Sequence, residues 1–293
     1  MLDPIAEIIR RLAKPLAPEP TGETPVLRRL HGVKAVLFDI YGTLFVSASG
    51  DVVATASKGR DMAFAEAAAI CGLVDLPDAA TVVDRLDGVV GRRHETAKSA
   101  GIEYPEIDVV DVWREVFDDL TGDSPDDAGL RRLAAVYENL VNPVWSMPGC
   151  RETLERLRDS GCFLGAVSNS QFYTLPMFEA LLGISRNELG IRDDLVHLSY
   201  KIGHAKPGRV IFERAATALA EIGVTPRETL YVGNDLLNDV AASSAIGFRT
   251  VLFAGDRRSL RKREGDARIE GVTPDAVITE LPQLLEVIEM VDS

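Results

Sequence analysis

The chain has 293 residues, 46% of them hydrophobic, which is enough for one large α/β domain or two smaller ones with a sizeable core. Its 32 basic and 45 acidic residues give a formal net charge of -13, which disfavours nucleic acid and anionic membrane surfaces as partners. Cys71, Cys150 and Cys162 lack the spacing of a disulfide framework or a zinc site, so we expect a cytoplasmic protein. No apolar run approaches the roughly 20 residues that span a bilayer, so we expect the protein to be soluble.

The first 32 residues carry no chemically diagnostic motif. Residues 1–18 are amphipathic without a signal-peptide core, and we predict a short helix there. Residues 16–25, "LAPEPTGETP", are rich in Pro, Gly and Thr, a composition typical of a linker. We therefore interpret residues 1–32 as an N-terminal helix and linker.

Beyond the linker, short apolar runs alternate with segments of helical period. The apolar runs predict buried strands at residues 33–39, 162–168, 194–200, 229–233 and 249–253. Strands that alternate with helices predict right-handed crossovers and a parallel sheet covered by helices on both faces. The prediction is an α/β, Rossmann-like core formed by residues 33–47 and 146–293.

One stretch interrupts this alternation. From about Ser47 to Met147 the segments are helical in character and no convincing strand is present. About a hundred helical residues exceed an ordinary crossover, so we interpret residues 48–145 as a separate helical cap over the carboxyl end of the sheet, where α/β sheets place their sites.

Polar side chains follow several of the predicted strands or open the helix after them. They are Asp39, Ser168 with Asn169, Lys206 before Pro207, and Asp235 with Asp239. Because the carboxyl ends of parallel strands meet at one edge of a sheet, we expect these groups to share a crevice. A hydroxyl, an ammonium and carboxylates together suit metal-assisted chemistry with a carboxylate nucleophile.

The motifs around these residues are "DIYGT" (39–43), "VSNS" (167–170), "KPG" (206–208) and "VGNDLLND" (232–239). In order and rough spacing they resemble the haloacid dehalogenase superfamily, whose best-known members are phosphatases. The resemblance extends over residues 33–255, and the helical insertion resembles the smaller helical cap of that superfamily.

The resemblance implies a role for each matched residue. Asp39 is the expected nucleophile, which forms a covalent aspartyl intermediate that water then hydrolyses. The backbone carbonyl of Tyr41 and the carboxylate of Asp235 are expected to bind Mg²⁺ together with Asp39. Asp239 would lie just behind, either on the metal through a water or orienting Lys206.

The remaining matched residues would contact the transferred group. Thr43 and Ser168 are expected to donate hydrogen bonds to a phosphoryl oxygen, with the backbone of Asn169 nearby. Lys206 is expected to neutralise charge on the nucleophile and on the transferring group.

The fourth motif leaves one ambiguity. Asp235 and Asp239, four residues apart around a helix start, place like charges close together, which favours a cation between them. Many family members have an acid where Asn234 stands here and others have it at 235; we assign the metal to Asp235, because an amide is the weaker Mg²⁺ ligand.

Tyr41 occupies the position where phosphatases of this superfamily usually have a second aspartate that serves as general acid and base. A phenol with an ordinary pKa near 10 is a poor proton donor at neutral pH. Tyrosine here resembles the 2-haloacid dehalogenases, which need no metal. Those enzymes have fewer acids in the fourth motif and a cap arginine for the substrate carboxylate; the nearest candidates, Arg60, Arg85, Arg92 and Arg93, are in no matching context.

Further candidates lie in the cap and near the end of the core. His94, Glu95, Tyr104 and Glu106 are within possible reach of the site, and Arg92 and Arg93 are candidates for holding an anionic substrate. The basic stretch "DRRSLRKR" (256–263) is either a solvated loop or a contact that steers phosphate or joins subunits.

Three hypotheses follow. The leading one is a Mg²⁺-dependent phosphatase of a small phosphorylated metabolite. The alternatives are a metal-independent 2-haloacid dehalogenase, favoured by Tyr41, and a phosphate-binding module with little turnover. In each case we expect a small-molecule partner, not nucleic acid or a membrane.

Overall fold

The structure is a computed structural model that describes residues 3–48 and 57–289. The α-helices in these ranges are α1 (Pro4–Leu12), α2 (Ser57–Cys71), α3 (Ala79–Ser99), α4 (Val109–Thr121), α5 (Asp127–Val141), α6 (Cys150–Asp159), α7 (Ser199–Ile202), α8 (Arg209–Glu221), α9 (Ala242–Ser244) and α10 (Leu284–Val287). The strands are β1 (Ala35–Phe38), β2 (Phe45–Ser47), β3 (Val144–Ser146), β4 (Phe163–Ser168), β5 (Ile191–Leu198), β6 (Thr229–Gly233), β7 (Arg249–Phe253) and β8 (Ala276–Ile278). Residues 1, 2 and 290–293 of the predicted end segments and 49–56 of the predicted cap lie outside the described ranges.

A parallel sheet with the strand order β5-β4-β1-β6-β7-β8 forms the centre of the described chain. β1 lies between β4 and β6, with Phe38 opposite Ala166 and Val232. Every residue of β1 is buried, because a parallel strand covered on both faces needs apolar side chains on both sides. The predicted α/β fold is confirmed, and Asp39 follows β1 at the carboxyl edge of the sheet.

The predicted strands correspond to β1, β4, β5, β6 and β7, and the sequence missed β8 and the antiparallel pair β2–β3. The expectation of no strand between Ser47 and Met147 is wrong at β3, where Trp145 pairs with Val46. Three residues are too short to show a periodic pattern, so β3 is defined only by its pairing with a distant segment.

Helices α2 to α5, which lie between β2 and β3 in the chain, pack around a hydrophobic cluster of their own. Trp113 is fully buried there, stacked 5.6 Å from the ring of Phe64 and edge-on 5.3 Å from the ring of Tyr137. Phe172 and Tyr173, in the segment after β4, join the same cluster, so this helical layer packs on the carboxyl end of β4. The cap boundaries at 48 and 145 stay a prediction. No helix of the described ranges is long and apolar enough to cross a membrane.

The N-terminal segment packs along the core. In α1, Ala6 and Ile9 are buried, and Asp3 caps the helix by accepting a hydrogen bond from the backbone N–H of Ile5. The predicted linker continues over the surface of the loop formed by residues 254–263. Its anchors are hydrogen bonds from Arg258 to the carbonyl of Ala17, from the backbone N–H of Glu19 to Asp256 and from Thr21 to the carbonyl of Ala254, and ion pairs of Arg257 with Glu19 and Lys262 with Glu23.

Gly42, in the turn after Asp39, allows a close approach of the chain. Its φ of +75° lies in the left-handed region, and a Cβ at this position would lie 2.4 Å from Cβ of Ser259 and 2.5 Å from Nδ2 of Asn234. The absence of a side chain therefore lets the nucleophile turn, the fourth motif and the loop around Ser259 meet.

Replacing Gly42 by Ala is expected to destabilise the protein by about 1–2 kcal/mol through the positive φ and by about 1–3 kcal/mol more through the clash. Gly32 has a φ of +70°, and a Cβ added there would meet no atom within 4 Å, so Gly32→Ala reports the backbone cost alone. Urea unfolding of both variants measures the difference. Equal losses for the two variants would contradict the close approach at Gly42.

Candidate active site

A crevice of about 110 Å³ opens at the carboxyl end of the sheet. Its lining includes the predicted residues Asp39, Tyr41, Asn169, Lys206, Asp235 and Asp239. The expectation that polar groups from separate strand ends share a crevice thus agrees with the geometry for these six residues. Ser168 does not line the crevice and lies behind it, in contact with Asp39. The catalytic, phosphate-binding and metal-binding roles of these residues remain predictions.

Asp39 is 7% exposed, and its carboxylate is held from two sides. The hydroxyl of Ser168, at the end of β4, donates to Oδ1 at 2.9 Å, and Nζ of Lys206 donates to the same oxygen at 2.8 Å. Because both of these contacts reach Oδ1, the other oxygen, Oδ2, is the one we expect to attack an electrophile.

Lys206 has a buried ammonium group whose N–H donors are matched by acceptors. Besides Asp39, Nζ donates to Oδ1 of Asp239 at 2.6 Å and to the hydroxyl of Tyr231 at 3.1 Å. Burial lowers the pKa of Lys206, but the carboxylates of Asp239 and Asp39 raise it by more, so the net shift is upward. The side chain is therefore a fixed positive charge at neutral pH.

Asn169 fixes the backbone of Lys206. Its Oδ1 accepts from the Lys206 N–H at 2.7 Å, and its Nδ2 donates to the Lys206 carbonyl at 3.1 Å. The amide side chain thus positions the lysine, a role that the sequence pattern did not reveal.

Asp239 is 1% exposed, and both of its oxygens are engaged. Oδ1 accepts from Lys206, and Oδ2 accepts from the backbone N–H of Asp235 at 2.9 Å. A Cβ on Gly233 would lie 2.3 Å from Cγ of Asp239, so glycine is needed there for the approach. Burial raises the pKa of Asp239 despite the attraction of Lys206. This geometry agrees with an Asp239 that orients Lys206.

Asp235 is 6% exposed and caps the helical turn that begins at Leu236. Its Oδ1 accepts from the backbone N–H groups of Leu237 and Asn238 at 2.9 and 3.2 Å. Arg263 contacts both carboxylate oxygens, with Nε at 3.1 Å from Oδ1 and 3.2 Å from Oδ2, and Nη2 also on Oδ2.

The like charges of Asp235 and Asp239 are therefore balanced by different cations, Arg263 and Lys206. The repulsion between the two acids does not by itself require a metal ion. Asn234, at the alternative position of the motif, donates from Nδ2 to the carbonyl of Ser259 at 2.6 Å.

The side chains of Thr43 and Tyr41, in the first motif, have different environments, and that of Thr43 differs from expectation. Thr43 is fully buried, does not line the crevice, and its hydroxyl has no hydrogen-bond partner within the described part of the chain. The Tyr41 hydroxyl lies 3.0 Å from Oγ1 of Thr174. Burial, together with the negative charges of Glu138 and Asp39, raises the pKa of Tyr41, so its phenol is an even weaker acid than usual.

Glu138, on α5, is a titratable group that the sequence did not single out, because it lies in an ordinary amphipathic helix. The Tyr173 hydroxyl donates to its Oε2 and Nδ2 of Asn142 donates to its Oε1, each at 3.2 Å. Asn142 in turn accepts from the Ser47 hydroxyl at 2.8 Å, and Ser47 lines the crevice. Burial raises the pKa of Glu138 to about 7.

The four arginines considered for a substrate carboxylate are ion-paired within the helical layer. The pairs are Arg60 with Asp87, Arg85 with Asp119, and Arg92 and Arg93 with Glu115. None of the four lines the crevice as far as the described residues define it.

The other cap candidates are also outside the crevice. His94 and Glu106 line a separate cavity of about 220 Å³ between the cap helices and the segment after β4. The Ser199 hydroxyl donates to Glu106 at 2.8 Å, and burial raises the pKa of Glu106. Glu95 is exposed, and the carbonyl of Tyr104 accepts a hydrogen bond from the backbone N–H of Ala205.

The basic stretch 256–263 is not a free solvated loop. Ser259, Arg261 and Arg263 line the crevice, and backbone hydrogen bonds join Arg261 to Asn234 and Leu236 of the fourth motif. The unusual density of basic residues in an acidic protein was the available signal. The sequence alone did not indicate which of them face the site.

The donor set suits a magnesium ion. Asp39, Tyr41 and Asp235 line the same crevice, and carboxylate and carbonyl oxygens are the ligands that Mg²⁺ prefers. Among the described residues no cluster of three or more His, Cys, Asp or Glu side chains is arranged to hold a metal. Mg²⁺ is commonly bound through one or two carboxylates while it keeps several waters, so two carboxylates and a carbonyl fit this ion.

Comparison with known proteins identifies a family and two named relatives. A family model for haloacid dehalogenase-like hydrolases matches residues 33–247. A glyceraldehyde 3-phosphate phosphatase of Pyrococcus furiosus is 34% identical over 177 residues, which cover 55% of this chain and 67% of the relative. A ribulose-1,5-bisphosphate 5-phosphatase of Halopiger xanaduensis is 31% identical over 144 residues, which cover 48% of this chain and 56% of the relative.

Among solved structures, a 2-haloacid dehalogenase from Pseudomonas syringae pv. Tomato has a similar fold. The match covers 87% of this chain and 97% of that chain, with a TM-score of 0.55 and 21% sequence identity. At this identity the likeness concerns the fold.

The raised pKa of Glu138 predicts a pH-dependent stability. The folded state holds the proton more tightly than the unfolded state, whose pKa is near 4.5, so stability falls as the pH rises from 4.5 to about 7. In Glu138→Gln this fall is removed. Relative to wild type, the variant should gain about 2–3 kcal/mol in the free energy of unfolding between about pH 5 and about pH 8.5.

Urea unfolding at the two pH values measures this gain. Glu95→Gln, at an exposed position of α3, is the matched control and should show no gain. A constant difference between Glu138→Gln and wild type across the pH range would contradict the raised pKa.

Proposed function

We propose, because this chain belongs to the haloacid dehalogenase-like hydrolase family, that it is a Mg²⁺-dependent phosphatase of a small phosphorylated metabolite. The two curated relatives are named as phosphatases of small phosphorylated compounds, which supports this class of substrate. A cytoplasmic location, which the cysteine usage suggested, accompanies the proposal as a prediction.

The observation that carries the proposal is the environment of the Asp39 carboxylate. It lies at the end of β1 in the crevice, with Ser168 and Lys206 on Oδ1 at 2.9 and 2.8 Å. Because both donors contact Oδ1, Oδ2 is the oxygen that would face a substrate. The same donors would stabilise the negative charge that develops during phosphoryl transfer.

In the proposed first step, Oδ2 of Asp39 attacks phosphorus, the bond from phosphorus to the leaving oxygen breaks, and an aspartyl phosphate forms. Water then attacks this acyl phosphate, which releases inorganic phosphate and restores the carboxylate. Lys206 stays positive through both steps and offsets the negative charge of the phosphoryl group. The Ser168 hydroxyl has a single hydrogen, which it donates to Asp39 here, so its predicted donation to a phosphoryl oxygen requires the hydroxyl to change partner when substrate binds.

The proposed metal ligands are Asp39, the Tyr41 carbonyl and Asp235, with Asp239 behind them. When bound, Mg²⁺ would supply a positive charge that attracts the phosphoryl oxygens and stabilises the charge that develops on them. Asp239 would contribute through Lys206, whose ammonium it holds at 2.6 Å.

Proton transfer to the leaving group is the step for which the first motif provides no good donor. Tyr41 is hydrogen-bonded to Thr174, and its pKa is raised. A substrate whose leaving group departs without a proton should therefore be favoured.

We predict that kcat/KM for p-nitrophenyl phosphate exceeds that for phenyl phosphate by about 100-fold or more, since a general acid typically contributes at least this factor and nitrophenolate leaves without one. Release of p-nitrophenol and phenol with Mg²⁺ present measures the ratio. Comparable values for the two esters would indicate that another group supplies the proton.

Asp39→Asn should reduce the turnover of p-nitrophenyl phosphate by about 1000-fold or more, because an amide cannot act as the nucleophile. Asp84→Asn, which removes an exposed carboxylate on α3, is the control and should keep wild-type turnover. EDTA should abolish the activity. Turnover that survives Asp39→Asn would overturn the mechanism, and phosphate binding without any turnover would favour a binding module.

Tyr41 favours a second candidate function, a metal-independent 2-haloacid dehalogenase, since halide leaves carbon without protonation. Chloride release from 2-chloropropionate that EDTA does not affect would establish this activity. Its absence across several haloacids, together with turnover of a phosphate ester, would exclude it. The ion pairing of Arg60, Arg85, Arg92 and Arg93 does not support this candidate.

A further inference from the structure

Asp235, which the proposed function assigns to Mg²⁺, is engaged by a guanidinium. Arg263 lies 28 residues further along the chain and spans both carboxylate oxygens, in the forked geometry that makes arginine–carboxylate pairs strong. The Asp235 side chain is 8% exposed, whereas the Arg263 side chain is 34% exposed. The carboxylate is thus fixed in the crevice wall, and the guanidinium approaches it from the solvent side.

The backbone around Arg263 is held while its side chain reaches inward. Arg261 exchanges backbone hydrogen bonds with the fourth motif, its N–H donating to the Asn234 carbonyl and its carbonyl accepting from Leu236, each at 2.9 Å. Arg263 itself has a φ of +53°, a left-handed conformation that costs a non-glycine residue free energy. The surrounding contacts, including the pair with Asp235, must offset this cost.

The remaining oxygen lone pairs of Asp235 leave little room for a second cation. Oδ1 already accepts from two backbone N–H groups in addition to Nε of Arg263, and Oδ2 accepts from Nε and Nη2 of the same guanidinium. A metal ion on either oxygen would meet this positive charge at contact distance. Magnesium on Asp235 therefore requires Arg263 to release the oxygen that the ion takes.

We propose that Arg263 competes with a divalent cation for Asp235, so that the crevice holds the guanidinium or the metal on this carboxylate, but not both in full contact. This inference rests on the proposed function only through the assignment of Asp235 as a metal ligand. It adds that Arg263, in a loop outside the four motifs, sets the metal affinity of the site.

The test is isothermal titration of Mg²⁺ into the full-length chain without substrate. Arg263→Gln should bind Mg²⁺ about tenfold more tightly than wild type, the factor that corresponds to about 1.4 kcal/mol. Asp235→Asn should lose most of the binding. Arg263→Lys, which keeps the charge but cannot form the fork, should lie between wild type and Arg263→Gln.

Arg257→Gln is the matched control. It removes the same charge from the same loop, but Arg257 does not line the crevice. Its pair with Glu19 at 2.7 Å lies at the surface, with the arginine side chain 73% exposed, so its loss should contribute little to the position of the loop. Its Mg²⁺ affinity should equal that of wild type, which separates local competition from a general change in charge. Circular dichroism and thermal unfolding check that each variant is folded. If Arg263→Gln does not fold, Arg263→Lys is compared with wild type in its place.

The inference is overturned if Arg263→Gln binds Mg²⁺ no more tightly than Arg257→Gln, or if neither binds it. Its failure is distinguishable from failure of the proposed function. Tighter Mg²⁺ binding by Arg263→Gln, with no hydrolysis of any phosphate ester by the wild type, would support the competition and reject the phosphatase. Hydrolysis by the wild type with unchanged Mg²⁺ affinity in Arg263→Gln would do the reverse.

Discussion

The ammonium of Lys206 is the cation that two buried carboxylates, Asp39 and Asp239, share. Removing charges from water costs several kcal/mol per ion, and only close pairing with good hydrogen bonds offsets this cost. The lysine is therefore fixed from all sides: Asn169 holds its backbone, and Tyr231 accepts its remaining N–H while donating to the Val167 carbonyl at 2.7 Å. The ends of β1, β4 and β6 are thereby tied to one point.

The Tyr41 side chain has a different environment from the one expected of the aspartate that phosphatases of this superfamily usually have at this position. The residue lies in the nucleophile turn and lines the crevice. The side chain lies where the core meets the helical layer. Its hydroxyl is hydrogen-bonded to Thr174, and the negative charge of Glu138 contributes to its raised pKa. The residue thus connects the crevice to the packing of the helices above it, and its phenol is not available as an ordinary acid.

The sequence predicted the parallel sheet and the convergence of Asp39, Lys206 and Asp239, because the alternation of strands with helices and the placement of sites at the carboxyl ends follow from local patterns and general topology. It missed β3 and β8, which are three residues long and are defined by distant partners. It also missed the contact of Arg263 with Asp235, since neither spacing nor periodicity encodes which basic residue of a loop turns inward. Burial of Thr43 was equally invisible, because its position in the motif gives no information on exposure.

The N-terminal segment affects which residue a shortened fragment of this protein should begin at. The family match begins at residue 33, so a fragment designed on that boundary would keep all four motifs. It would lose Ala17, the backbone of Glu19, Thr21 and Glu23, which fasten the loop that carries Arg263. The domain that the family model matches and the unit that folds together therefore have different boundaries. The described part of the N-terminal segment contributes no residue to the crevice lining, but it holds one wall of the crevice in place.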